Sequence, residues 1–198
     1  MGLDGKVRVV LVGDAACGKT SLAVRLSQNI FIDYHCPTDY VEDFSAEIGT
    51  RKGTRGLTIL DTSSDDSVRS LAYKCCDVVV VCFDLTDSST LENVESKWLP
   101  ELEENCPGVP FILAGCKRDD MCDGPEGCVC GGACCDLNEK ELIAFLSRTG
   151  ASAYIDSSAL TGENVEAVFG LAAECTVPKR KNSAKRLVAS IKKRLSHL

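Results

Sequence analysis

Long apolar stretches are missing from this chain of 198 residues; the longest unbroken run is Val78–Phe83. A membrane-spanning helix needs about 20 such residues, so none is expected. The opening residues, Met1-Gly2-Leu3-Asp4-Gly5-Lys6, hold no apolar signal core, and the chain is expected to stay in the cytosol. No repeat recurs at a period of about 20–50 residues, which excludes solenoids and propellers. Global disorder is excluded as well, because 44% of residues are hydrophobic and 26% charged, the balance of one globular domain.

Acidic residues are absent from 179–198, where Lys179, Arg180, Lys181, Lys185, Arg186, Lys192, Lys193 and Arg194 stand. Those eight belong to a total of 22 basic residues, so 14 remain against 29 acidic ones in 1–178, a body at −15 inside a chain at −7. So acidic a body argues against nucleic acid as a partner. Cysteine is plentiful, at 13, an odd count that in a reducing cytosol reads as free thiols.

Short apolar runs alternate with helical patterns. Lys6–Val12, Val78–Asp84, Phe111–Cys116 and Ala153–Asp156 read as strands, and Ser45–Thr50 with Leu57–Asp61 as a hairpin turning at Gly53…Gly56. Helices are expected over Thr20–Asn29 and Leu91–Asn105. Two more run from a capping box at Asn138-x-x-Glu141 to Arg148, and from a cap at Asn164 through Val165, Val168, Phe169 and Ala172. The alternation predicts an α/β fold with a mostly parallel sheet.

Gly13-Asp14-Ala15-Ala16-Cys17-Gly18-Lys19-Thr20 fits G-x-x-x-x-G-K-[ST], between a strand and a helix as the motif requires. Backbone N–H groups of such a loop curl around phosphate oxygens, and the helix N-terminus adds positive potential. Lys19 is then expected at the β- and γ-phosphates and the Thr20 hydroxyl on Mg²⁺.

The sequence resembles the Ras superfamily of small GTPases, and its Rho family in particular, over residues 6–176. The resemblance rests on Val10–Ser21, Pro37-Thr38, Asp61-Thr62, Lys117-Arg118-Asp119 and Ser158-Ala159. Its most Rho-like part is Ser67–Pro110, with Thr90-Leu91-Glu92-Asn93-Val94 and Lys97-Trp98. The resemblance implies a P-loop G domain with a six-stranded sheet over 1–177, an extra loop over 120–137 and a separate tail over 178–198. It implies GTP or GDP with Mg²⁺ as cofactors. The implied nucleotide contacts are Gly13 to Ser21, Phe31 against the guanine, Thr38, Asp61, Cys116, Lys117, Asp119, Ser158, Ala159 and Leu160. Thr20 and Thr38, with Asp61 through water, are the implied Mg²⁺ ligands. A carboxylate at Asp119 accepts the N1–H and the N2 amine of guanine, a donor pair adenine lacks. Signal transduction and cytoskeleton regulation through effectors docking on 34–44 and 61–73, by a monomer, complete what is implied.

Several positions depart from the family's pattern. Cys116 stands where Asn or Thr is usual and Leu160 where Lys is usual, as in the atypical Rnd members for the cysteine. The second switch reads Asp61-Thr62-Ser63-Ser64-Asp65-Asp66 in place of D-T-A-G-Q-E. Asp65 is shorter than the glutamine that orients the attacking water. Its charge also repels a triphosphate, by about 4 kcal/mol at about 4 Å and an effective dielectric of about 20. Ser64 replaces a glycine that needs conformational freedom, and Ala15 replaces a phosphate-loop glycine. The expected function is an atypical, Rnd- or RhoH-like protein that binds GTP and hydrolyses it weakly. The alternatives are a conventional hydrolysing Rho-type switch and a nucleotide-free scaffold.

Cys122, Cys128, Cys130, Cys134 and Cys135 fall in the extra loop at a spacing unlike paired zinc knuckles. A soft metal, acylation or redox chemistry, and a lineage-specific flexible loop all stay open. No cysteine sits where C-a-a-X prenylation would need it. Ala184, Leu187, Val188, Ile191, Leu195 and Leu198 instead share one helical face over 182–198, with Asn182 or Ser183 as cap and basic residues flanking. That pattern predicts peripheral attachment to anionic lipid at the cytoplasmic face of membranes, each basic residue contributing about 1 kcal/mol. A nuclear-import or calmodulin-type segment and a solvated tail are the alternatives. The whole protein should co-sediment with vesicles containing phosphatidylserine, and Leu187→Glu with Ile191→Glu should weaken that binding by about tenfold or more.

Overall fold

Six strands lie in the order β2-β3-β1-β4-β5-β6 in a computed structural model that describes residues 5–33, 40–62, 66–121 and 139–176. The chain runs β1 Val7–Gly13, α1 Lys19–Gln28, β2 Glu42–Thr50, β3 Gly53–Asp61, α2 Asp66–Tyr73 and β4 Val78–Asp84. It continues through α3 Ser88–Asn93, a π turn Val94–Trp98, α4 Leu99–Asn105, β5 Phe111–Cys116, a 3₁₀ turn Arg118–Asp120, α5 Glu139–Thr149, β6 Tyr154–Asp156 and α6 Val165–Cys175. Every pairing is parallel except β2 with β3. This is the α/β Ras-like architecture, with helices on both sides of the sheet.

The continuous apolarity of β4 has a direct structural counterpart. Val78, Val80 and Cys82 enter one core with Leu22, Val168 and Phe169. Val79, Val81 and Phe83 enter the other with Trp98, Phe145 and Leu146. A strand covered on both faces alternates sides without alternating polarity. β2, at the sheet edge, buries Phe44 and Ile48 while Asp43, Ser45 and Glu47 face water, the pattern of a strand covered on one face.

Three sequence expectations shift. The hairpin turns at Arg51-Lys52, two residues early: Gly53, at φ 109, already opens β3, and Gly56 lies inside it opposite Glu47. The Thr50 hydroxyl clamps that turn, donating to the Gly53 carbonyl at 2.7 Å and accepting from the Lys52 N–H at 3.3 Å. The long helix begins at Ser88 rather than Leu91, because the Asp87 carboxylate accepts from the Ser89 N–H at 3.0 Å. Asn164 starts α6 in a left-handed conformation with no side-chain cap; its amide instead donates to the Asp156 carbonyl at 2.9 Å. Helix α2 was not anticipated. The cap at Asn138, residues 122–137 of the extra loop and the tail lie outside the described residues.

A polar clamp joins α2 to α4. Arg69, fully buried, donates to both Glu101 oxygens, and the Tyr73 hydroxyl donates to Glu101 at 2.6 Å. The Arg69 guanidinium also stacks 4.9 Å from the Trp98 ring. Among the described residues no helix is long and apolar enough to cross a membrane. Phe169, with no exposed surface, bridges α6 to the sheet. Phe169→Ala should therefore lower unfolding free energy by about 3–5 kcal/mol, read from urea titration.

Candidate functional site

The phosphate loop is shaped by what lies beneath it. Gly13 pairs with Cys82 of β4 at φ 143, and a Cβ there would stand 2.1 Å from the Cys82 carbonyl oxygen. Gly18, at φ 108, precedes α1, and a Cβ on it would meet the Cys116 side chain at 3.2 Å. Between them Ala15 and Ala16 are exposed, Ala16 at φ 60. Cys17 turns inward, its thiol 3.6 Å from the Cys82 carbonyl. Burial pushes that thiol up to about 12, so Cys17 is an uncharged packing residue at neutral pH.

The Lys19 ammonium spans the loop, donating to the carbonyls of Gly13 at 2.9 Å and Asp14 at 2.8 Å. One residue on, the Thr20 hydroxyl meets the buried Asp61 carboxylate at 2.5 Å. Hydroxyl and carboxylate oxygens side by side at a helix N-terminus suit a hard divalent cation that keeps part of its water shell. The Asp14 carboxylate faces away, accepting from the Asn93 amide at 2.8 Å and the Trp98 indole N–H at 3.1 Å.

At the other end, β5 delivers Cys116 into the core and Lys117 into a left-handed turn at φ 60. The Lys117 ammonium pairs with Asp84 at 2.7 Å. Burial pulls this lysine down, and the bond and charge of Asp84, with Cys17 and Asp120, more than offset it, so its pKa ends above the ordinary value. Arg118 reaches Asp156 at 2.8 Å, and its N–H donates to the Ser157 carbonyl at 3.1 Å, tying this turn to the chain after β6. Asp119 therefore sits exposed at the rim. Ser158 is buried, its hydroxyl accepting from the Thr161 N–H at 3.0 Å, while Leu160 is half exposed.

These residues surround one cavity of about 680 Å³. Ala15, Ala16, Gly18, Lys19, Thr20, Ser21, Phe31, Cys116, Lys117, Asp119, Ala159 and Leu160 line it. Gly13, Asp14, Cys17, Asp61 and Ser158, also expected from the sequence, do not line it. Thr38, Ser64 and Asp65 lie outside the described residues. Sequence reasoning missed Asp84, which holds Lys117, and Thr62, whose hydroxyl donates to the Leu11 carbonyl at 2.7 Å. It also missed Asp33, Tyr40 and Glu42 on the cavity wall. An acid closing the apolar run of β4 was the available signal for Asp84.

The family model described as Ras family matches residues 8–177. The chain belongs to the Ras family. It is a small GTP-binding protein, in a family whose members bind guanine nucleotide and Mg²⁺. The residues present fit that pair of ligands. Side-chain-free backbone at Gly13 and Gly18 and the Lys19 ammonium suit phosphate, and Thr20 with Asp61 suits Mg²⁺. The cavity runs from that loop to Asp119, an acid at the far rim. Gly13→Ala should force the loop off β4. Guanine-nucleotide affinity, measured by fluorescent-nucleotide titration, should fall by more than about tenfold, the equivalent of 1.4 kcal/mol.

Proposed function

We propose that this Ras-family protein is an atypical Rho-type GTP-binding protein that holds GTP and Mg²⁺ and hydrolyses the nucleotide weakly. Backbone N–H groups of 14–20 and Lys19 would hold the phosphates. Thr20 and Thr38, with Asp61 through water, would hold Mg²⁺, and Lys117, Asp119, Ser158, Ala159 and Phe31 the guanine. Mg²⁺ supplies charge neutralisation at the phosphates when bound. Asp84 would fix the Lys117 stem at the base. Cys116 would support the loop by packing against Gly18.

The observation that carries the nucleotide reading is the single cavity joining the phosphate loop to Asp119. The Rho-type reading is supported by the stretch that most resembles that family: Asn93 and Trp98 from it grip Asp14 of the phosphate loop. Weak hydrolysis is supported by the chemistry of Ala15, Ser64 and Asp65, which together replace the residues that orient and admit the attacking water. Effectors would dock across 34–44 and 61–73, where Tyr40 and Leu71 expose large apolar surface. The tail over 182–198 would hold a monomer to anionic lipid at the cytoplasmic face of membranes, with no role for nucleic acid.

Nucleotide released from the purified protein tests this reading. Mostly GTP is expected; mostly GDP would favour a conventional hydrolysing switch, and none a nucleotide-free scaffold. Single-turnover hydrolysis should be slow, and Asp65→Gln combined with Ala15→Gly should raise its rate by about tenfold or more, since a positioned catalytic group contributes roughly 10²–10⁴. A wild-type rate unchanged by that double substitution would contradict the role given to the two positions.

A further inference from the structure

The two loops at the far end of the cavity come from neighbouring strands that share a short ladder. β5 and β6 pair from Leu113 with Tyr154 to Gly115 with Asp156, and both chains then leave the sheet. Lys117 and Asp119 of one loop and Ala159 and Leu160 of the other line the cavity, whereas Arg118 does not. Cys116, just before this turn, is buried in the core. Lys117 reaches back to Asp84 on β4 and Arg118 reaches forward to Asp156 on β6, so the turn is gripped from both sides.

Arg118 closes the gap between the loops. The Ser157 N–H donates to the Gly115 carbonyl at 2.7 Å, and the Arg118 N–H donates to the Ser157 carbonyl at 3.1 Å, which carries the ladder beyond the strands. The Arg118 guanidinium donates to the Asp156 carboxylate at 2.8 Å and lies 3.9 Å from the Glu163 carboxylate. These two acids flank the loop 157–162. The Asp156 carbonyl takes the Asn164 amide at 2.9 Å, and the Glu163 carbonyl takes the Ser158 N–H at 3.0 Å. The Arg118 and Asp156 side chains are 25% and 23% exposed, and a partly covered ion pair is screened less than one in open solvent. A planar guanidinium also fixes direction, which a point charge does not.

We propose that Arg118 is a positioning residue for nucleobase selectivity: its grip on Asp156 sets the spacing between Asp119 and the Ala159–Leu160 loop, between which the base edge lies. The inference rests on the reading of this cavity as a guanine-nucleotide site with Asp119 as the acceptor. Without the ion pair, the ladder bonds alone would hold the two loops together, and Asp119 would lose its fixed distance from the facing loop.

The test measures the affinity of the whole protein with Mg²⁺ for GDP and for inosine diphosphate, by competition against a fluorescent guanine nucleotide. Inosine keeps the N1–H and lacks the 2-amine, so the ratio of affinities reads the placement of Asp119. General loosening of the fold lowers both affinities alike and leaves the ratio. The wild type is expected to prefer GDP by about tenfold or more, the discrimination of one hydrogen bond to a charged group. Arg118→Ala and Asp156→Asn should each cut that preference by about threefold or more, and together by no more than the larger single effect. Arg148→Ala removes an exposed ion pair with Glu95 whose residues do not line the cavity, and should leave the ratio unchanged. Should Arg118→Ala not fold, Asp156→Asn decides. An undiminished preference in either variant, additive effects, or an equal loss in Arg148→Ala would overturn the proposal and leave the guanine reading standing. A wild type that treats GDP and inosine diphosphate alike would overturn the reading of Asp119 and the proposal with it.

Discussion

The site depends on how closely β1 can run beside β4. At Gly13 the two strands leave no room for a side chain, since a Cβ would stand 2.1 Å from the Cys82 carbonyl oxygen. Only glycine can end β1 there at φ 143. The chain then leaves the end of β1, and the loop that follows is pinned from inside by Cys17 against that same carbonyl. α1 begins at Lys19, next to the packing of Gly18 on Cys116. Thr20, at the start of α1, meets Asp61 because β3 runs parallel beside β1 and ends with Asp61 level with Leu11.

A second layer of contacts ties this loop to the helix beyond it. On a regular α-helix, positions five apart point about 140° away from each other. Asn93 and Trp98 are five apart, yet both donate to the Asp14 carboxylate. The turn between them is a π turn, with the Leu99 N–H bonded to the Val94 carbonyl, which brings such positions toward one face. Trp98 then carries Arg69 over its ring, and Arg69 is held by Glu101. A continuous chain of polar and stacking contacts thus runs from the phosphate loop through the π turn to α2, the element that follows the altered second switch. Such a chain gives α2 a defined position relative to the nucleotide loop; breaking a buried ion pair within it leaves a charge that the interior accommodates poorly.

The strands and the phosphate loop were legible in the sequence, because both are written in local pattern. Val78–Asp84 and Phe111–Cys116 have the bounds expected of them, since a run without polar residues can lie only where both faces are covered. The G-x-x-x-x-G-K-T motif encodes its own strand-to-helix context. Less legible was α2: its helical face is short, and its two anchors, Arg69 and Tyr73, read as polar surface until Glu101 is brought to them. The hairpin turn was misplaced because glycine marks positive φ without saying whether it opens a strand or fills a turn, and Gly53 opens one.

By itself the sequence determined the α/β class and the phosphate-binding loop, because each is carried by residue type at close spacing. The tertiary structure decided which distant groups complete them. Asp84 reaches Lys117 across the β4–β5 pairing, and Asp61 reaches Thr20 across β3 and β1. Asp14 finds Trp98 through a π turn that no periodicity announces. Those pairings depend on sheet order and helix register, which are set by the simultaneous burial of two cores and cannot be summed from local preference.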